Sequence, residues 1–165
     1  MGIYLNPGSD MFQQSLNSMI FVDKSDIIAE LNKIINTNEK YICISRPRRF
    51  GKSMTMNMVS AYYDRTVESS LFARTKISKT DNYAKHRGAY DVLFINMQNF
   101  LSKTKTMEDL LRLLESRVGR ELVYAYPDID FFDKNSLAYL LEDVYSVTKR
   151  KFVILIDEWD CIFRE

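Results

Sequence analysis

Histidine, cysteine, proline and glycine are all scarce in this 165-residue chain: one His, two Cys, three Pro and five Gly. The lone His86 argues against a histidine-built metal centre or a Ser-His-Asp triad, and reads as an ordinary loop residue. Cys43 and Cys161 lie far apart with no CxxC context, so no disulfide framework is expected. They read as buried free thiols of a reducing cytoplasm. So little glycine and proline excludes collagen and argues against long disordered linkers. No apolar run approaches the length of a membrane span. The start, Met1 to Asn6, has neither the basic head nor the apolar run of a secretory signal. Asn6 also stands where myristoylation wants Ser or Thr. A cytoplasmic location is the expectation. Charge is scarce in another sense: 23 basic and 22 acidic residues leave a net charge of +1. The chain is no basic nucleic-acid coat, and any anion site must come from local placement of charge.

What is present is alternation. After an irregular stretch over 1–22, with a turn signal at Asn6-Pro7-Gly8, Asp26 to Asn36 carries a single apolar face. Ile27, Ile28, Leu31, Ile34 and Ile35 form that face, and Asp23 or Ser25 is placed to cap the helix. Tyr41-Ile42-Cys43-Ile44 reads as a short strand, and Met54 to Tyr63 as a helix. Residues 64–90 show no clear period. Val92 to Ile95 reads as a second strand, without alternation, as expected when both faces are covered. Thr106-Met107-Glu108-Asp109 resembles a capped helix start, followed by helical spacing from Met107 to Leu122. Tyr126-Pro127-Asp128 breaks the chain, 136–149 is a further amphipathic helix, and Phe152 to Ile156 is a third buried strand. Strands alternating with helices predict an α/β fold, a parallel sheet flanked by helices, with ligands at the carboxyl ends of the strands.

Two of those strand ends carry chemistry. The first is followed by Ser45-Arg46-Pro47-Arg48-Arg49-Phe50-Gly51-Lys52-Ser53 and then a helix. Gly51, Lys52 and Ser53 match the end of the phosphate-binding pattern G-x-x-x-x-G-K-[ST], with Arg46 in place of the first glycine. Gly51 lets the backbone approach phosphate oxygens. Backbone N–H groups from Arg49 and Phe50 through Ser53 are placed to converge on the anion at the positive end of the helix. Lys52 reaches terminal phosphates and Ser53 is a ligand for Mg²⁺. The third strand ends in Asp157-Glu158. A strand-end Asp suits Mg²⁺ beside the loop serine, and the adjacent Glu suits a general base for the attacking water.

Phe21-Val22-Asp23-Lys24-Ser25, the nine-residue loop from Ser45 to Ser53, and Ile156-Asp157-Glu158-Trp159-Asp160 together resemble the prokaryotic AAA-ATPase-like family. Its members open with V-D-K-[ST], carry R-P-R-R-F-G-K-S and end a strand in D-E-[WY]-D. The departure at Arg46 is the family's own. The resemblance runs from end to end of the chain. It implies a P-loop NTPase fold of the ASCE/AAA-like kind, with ATP and Mg²⁺ as cofactors and ATP hydrolysis as the activity. In such proteins the segment around Phe21 is placed to close over adenine, the aromatic ring stacking on the base. A hydrophobic staple and helix cap is the plainer role for the same residues. Members often carry a C-terminal nuclease-like domain of the PD-(D/E)XK type, which would bring a nucleic-acid partner.

The family core places a further strand between the two motif-bearing strands. This chain shows three strand runs and reaches Glu165 soon after Glu158. It is therefore expected to be the N-terminal part of such a domain: 1–40 a leading segment and helix, 41–165 the core. A sheet short of one strand is expected to leave unpaired edges, to self-associate and to hydrolyse ATP weakly. Phe50 is expected to pack beneath the loop, Met54, Met56 and Met58 to fill the core, and Trp159, Tyr62 and Tyr63 to be core residues. Arg46, Arg48 and Arg49 neutralise triphosphate charge or form a solvated basic loop. Two rivals remain: a nucleic-acid translocase, since Asp157 to Asp160 resembles a DExD box, and a non-hydrolysing nucleotide-binding scaffold. A GTPase is disfavoured by the lack of an N-K-x-D motif.

Overall fold

The computed structural model describes residues 2–45 and 50–163. It divides into two compact units, one of Met1–Pro7 with Asp91–Glu165 and one of Gly8–Tyr90. Among the described residues no helix is long and apolar enough to cross a membrane.

The Gly8–Tyr90 unit is helical. It holds α1 (Asp10–Leu16), α2 (Asp26–Ile34), α3 (Lys52–Tyr63) and α4 (Tyr83–His86), with 3₁₀ turns at Ser69–Phe72 and Lys76–Lys79. Helix α3 changes character along its length. From Met58 to Tyr63 every residue is buried, while Ser53 and Met54 in the first turn are exposed. A segment buried on all sides is a core element, so the C-terminal half anchors the helix and leaves its start at the surface. Phe12 of α1 stacks on Phe72 at 5.0 Å, and Tyr62 meets Phe72 edge-on at 5.5 Å. Burial pushes the Tyr62 hydroxyl up to about 12 and that of Tyr63 further in the same direction. Both therefore stay protonated and donate hydrogen bonds: Tyr63 to Asn32 Oδ1 at 2.8 Å, Tyr62 to the Tyr83 carbonyl at 2.6 Å. Tyr62 and Tyr63 are core residues as expected.

Several expectations fail in this unit. Residues 1–22 are not all irregular, since they contain α1. Ser25 occupies the N-cap position of α2 as expected, but neither its side chain nor that of Asp23 makes a capping hydrogen bond to the helix. Tyr41–Ile44 forms no strand; Tyr41 is 86% exposed and Cys43 is exposed rather than buried. An apolar run becomes a strand only where a neighbour completes its hydrogen-bond ladder, and none does so among the described residues. His86 lies in α4 and is buried.

The other unit contains the sheet. Strands β1 (Asp91–Asn96) and β2 (Phe152–Asp157) pair in parallel, in register from Asp91↔Phe152 to Asn96↔Asp157. Between them run α5 (Met97–Leu101), α6 (Met107–Ala125) and α7 (Leu137–Thr148). Thr106 Oγ1 accepts the Asp109 amide at 3.1 Å, the cap that the sequence signature predicts. Leu93 packs with Val118, Leu122, Leu140 and Val144 of α6 and α7, and Ile95 with Phe100 and Leu110. On the other edge of β1 the N-terminal segment runs antiparallel, with the Asn6 amide on Val92 O at 2.7 Å and the Phe94 amide on Tyr4 O at 2.8 Å. β1 is thus flanked on both sides and buried. β2 lies at the edge, with Ile154 and Ile156 exposed, not the covered strand that was expected.

One carboxylate gathers three amides of the N-terminal segment. Glu121 of α6 accepts the amides of Ile3 at 2.9 Å, Tyr4 at 2.8 Å and Leu5 at 2.9 Å. Three successive backbone N–H groups around one anion form a nest. Gly2 is required by this closeness: a Cβ there would collide with the Glu121 carboxylate and come within 2.9 Å of Leu5 O.

Two outcomes are expected. Hydrogen bonds to a charged acceptor contribute about 1.5–3 kcal/mol, so Glu121→Ala should lose stability of that order in urea titrations; a loss under about 0.5 kcal/mol would contradict the nest's role. His86 Nδ1 lies 2.8 Å from Tyr90 Oη, and burial, with Lys85 nearby, holds its pKa below the usual 6.5. The folded state therefore disfavours the proton. Stability should be full above about pH 6.5 and erode as pH falls through the folded value. The urea midpoint should drop more on acidification in the wild type than in His86→Gln; equal drops would contradict it.

Candidate functional site

Gly51 immediately precedes α3 with φ +73, the left-handed conformation that glycine adopts without strain. Its carbonyl accepts both the Thr55 amide and Thr55 Oγ1 at 3.0 Å, which fixes the first helical turn. No side chain of Gly51 exists to cap the helix, so Lys52 and Ser53 open α3 at an end of positive potential.

Beside this turn is a cavity of about 360 Å³. Phe12, Phe21, Val22 and Met58 contribute apolar walls, and Lys24, Phe50 and Gly51 bring the loop to its margin. Phe21, Phe50 and Gly51 are thus brought to one cavity; Lys52 and Ser53 follow directly in α3. Phe50, expected to be packed, is 59% exposed at the cavity margin. The methionines also divide, Met58 buried and Met54 exposed at the cavity. Arg49, expected in the cradle, lies outside the described residues, as do Arg46, Pro47 and Arg48.

The segment around Phe21 is tied down at two points. Asp23 accepts the Ser25 amide at 2.8 Å and the Lys76 amide at 2.7 Å. Burial acts to raise the Asp23 carboxyl, but these hydrogen bonds outweigh it and hold the pKa below the usual value. Ser25 Oγ accepts the Ile77 amide at 3.0 Å. Between the two anchors, Lys24 donates from Nζ to the Phe50 carbonyl at 3.0 Å. This contact joins residues 26 positions apart and was missed in the sequence. The V-D-K-S segment singled out Lys24, but no local pattern reveals a partner so distant.

In the sheet-bearing unit, Asp157 ends β2. Its side chain is buried, and Oδ1 accepts the Glu158 amide at 2.9 Å. Glu158 has φ +52, a left-handed conformation that costs a non-glycine residue about 1–2 kcal/mol. Strain of this kind concentrates where function fixes the backbone. The chain then turns into a 3₁₀ segment, Trp159–Phe163, closed by the Cys161 amide on Glu158 O at 3.1 Å. Trp159 is 44% exposed, not the core residue that was expected, while Cys161 is buried. Among the described residues no three His, Cys, Asp or Glu side chains gather to hold a metal.

The loop–helix turn and the strand-end acidic pair lie within a stretch that a family model, described as predicted AAA-ATPase, matches over residues 9–165. The chain belongs to the AAA-ATPase-like family. Comparison with curated proteins and with solved structures returned no match. For this AAA-ATPase-like chain the family carries a nucleotide-binding theme, and the mixed α/β architecture with its parallel strand pair agrees with it.

Proposed function

We propose that the chain is the MgATP-binding module of an ATPase that hydrolyses ATP to ADP and phosphate. The observation that carries the reading is the left-handed Gly51 opening α3 beside an apolar cavity that holds Phe21. Backbone amides at a helix start bind anions, and an apolar cavity next to them suits a base.

In this reading the amides of Gly51, Lys52 and Ser53 bind phosphate oxygens, and the Lys52 ammonium takes the terminal phosphates. Phe21 stacks on adenine, and Phe12 meets the Phe21 ring edge-on at 6.1 Å. The Ser53 hydroxyl and the Asp157 carboxylate are hard oxygen donors of the kind Mg²⁺ prefers. Mg²⁺ is usually held by one or two side chains together with substrate phosphates, so a protein-built cluster is not needed. The metal, when bound, neutralises charge on the phosphates. Glu158 takes the proton of the attacking water as general base.

Two substitutions separate binding from chemistry. Charge-assisted contacts from Lys52 are worth about 1.5–3 kcal/mol, so Lys52→Ala should weaken MgATP roughly 10- to 150-fold in calorimetric titration. Equal affinity of variant and wild type would contradict the loop assignment. Glu158→Gln keeps shape and removes the base, so MgATP should still bind while turnover falls by about 10²–10⁴. Turnover at the wild-type rate would remove Glu158 from the mechanism.

A further inference from the structure

We propose that Lys24 is a positioning residue that sets the peptide plane on which the phosphate-binding turn depends; this rests on the nucleotide reading above.

The Phe50 carbonyl and the Gly51 N–H belong to one planar peptide unit and point in opposite directions. Lys24 Nζ holds the Phe50 oxygen at 3.0 Å. With that oxygen pinned toward the ammonium, the Gly51 N–H is turned to the opposite side. Rotation of the same plane would replace the N–H with a partially negative oxygen, which repels an anion. Glycine at Gly51 makes that rotation accessible, because it tolerates both signs of φ. The downstream side of Gly51 is fixed by its two bonds to Thr55. Upstream, Lys24 makes the only hydrogen bond to the 50–51 peptide plane among the described residues. The two groups lie close: a Cβ on Gly51 would come within 3.1 Å of Lys24 Nζ, although it is the positive φ of +73 that favours glycine there.

Lys24 is itself held. Asp23 on one side is bonded to the Ser25 and Lys76 amides, and Ser25 on the other to the Ile77 amide. The main chain that carries Lys24 therefore has little freedom, and its side chain spans to the loop as a strut. It also links the two parts of the cavity margin, since Phe21 and Val22 directly precede it and Phe50 and Gly51 receive it. A nucleotide whose base lies against Phe21 and whose phosphates meet Gly51 would sense both ends of this strut.

The test uses Lys24→Met and Lys24→Arg in the full chain, with pyrophosphate and adenosine as separate probes. Without ligand, the Phe50 carbonyl ¹³C resonance should move in Lys24→Met and stay near the wild-type position in Lys24→Arg. Pyrophosphate affinity should fall about tenfold or more in Lys24→Met, recover in Lys24→Arg, and adenosine affinity should stay unchanged. An unmoved carbonyl resonance would overturn the proposal, as would a moved resonance with pyrophosphate affinity intact. An equal loss of adenosine binding would reduce Lys24 to a general structural role and overturn it too. A wild type that binds neither MgADP nor pyrophosphate would remove the nucleotide reading itself, before any variant is made; a wild type that binds both leaves the variants to judge Lys24 alone.

Discussion

The left-handed turn at Gly51 is the constraint on which the loop-bearing unit depends. It opens α3 directly and leaves the helix start without a side-chain cap. The other end of α3 makes the arrangement rigid. Six consecutive buried residues, Met58 to Tyr63, fasten it into the aromatic core with Phe12 and Phe72. A helix so anchored presents Lys52 and Ser53 with little freedom to reorient. The orientation of the peptide before Gly51 then becomes the variable that matters, and a lysine from a distant, doubly anchored segment holds it.

The sheet-bearing unit uses a different device. β1 is buried because it has neighbours on both edges, β2 in parallel and Tyr4–Asn6 antiparallel. The N-terminal segment stays there because Glu121 collects three of its amides and Asn6 bonds both Asp91 and the Val92 amide at 2.7 Å. Asp91 in turn accepts from Tyr126 at 2.6 Å and Arg150 at 3.2 Å, so a buried carboxylate is fully engaged. This frame supports β2, whose end is the acidic pair. The strained backbone of Glu158 is the one place in that strand's exit where local preference yields to position.

Helices α2, α3, α6 and α7 were legible in the sequence from helical spacing, and both paired strands as short unbroken apolar runs. The Thr106 cap was legible for the same local reason. Helices α1 and α5 were not: each buries a single residue, Phe12 or Phe100, and one residue has no period. Tyr41–Ile44 shows the opposite failure. Its composition suits a strand, but composition does not report whether a neighbouring strand is available. The acidic pair and the Gly-Lys-Ser turn were found by motif, since spacing and chemistry were both local. The Lys24 strut, the Glu121 nest and the cavity wall from Phe12 depend on contacts distant in sequence, which no local pattern records.

The central claim is that the Gly51 turn is an anion cradle beside a base-binding cavity. Titrating MgADP into ¹⁵N-labelled protein tests it most directly. The account predicts saturable shifts concentrated at the amides of Gly51 to Thr55, with Phe21 and Lys24 moving along the same isotherm. Absence of saturable shifts at the Gly51, Lys52 and Ser53 amides, or a saturating response confined to other residues, would contradict it.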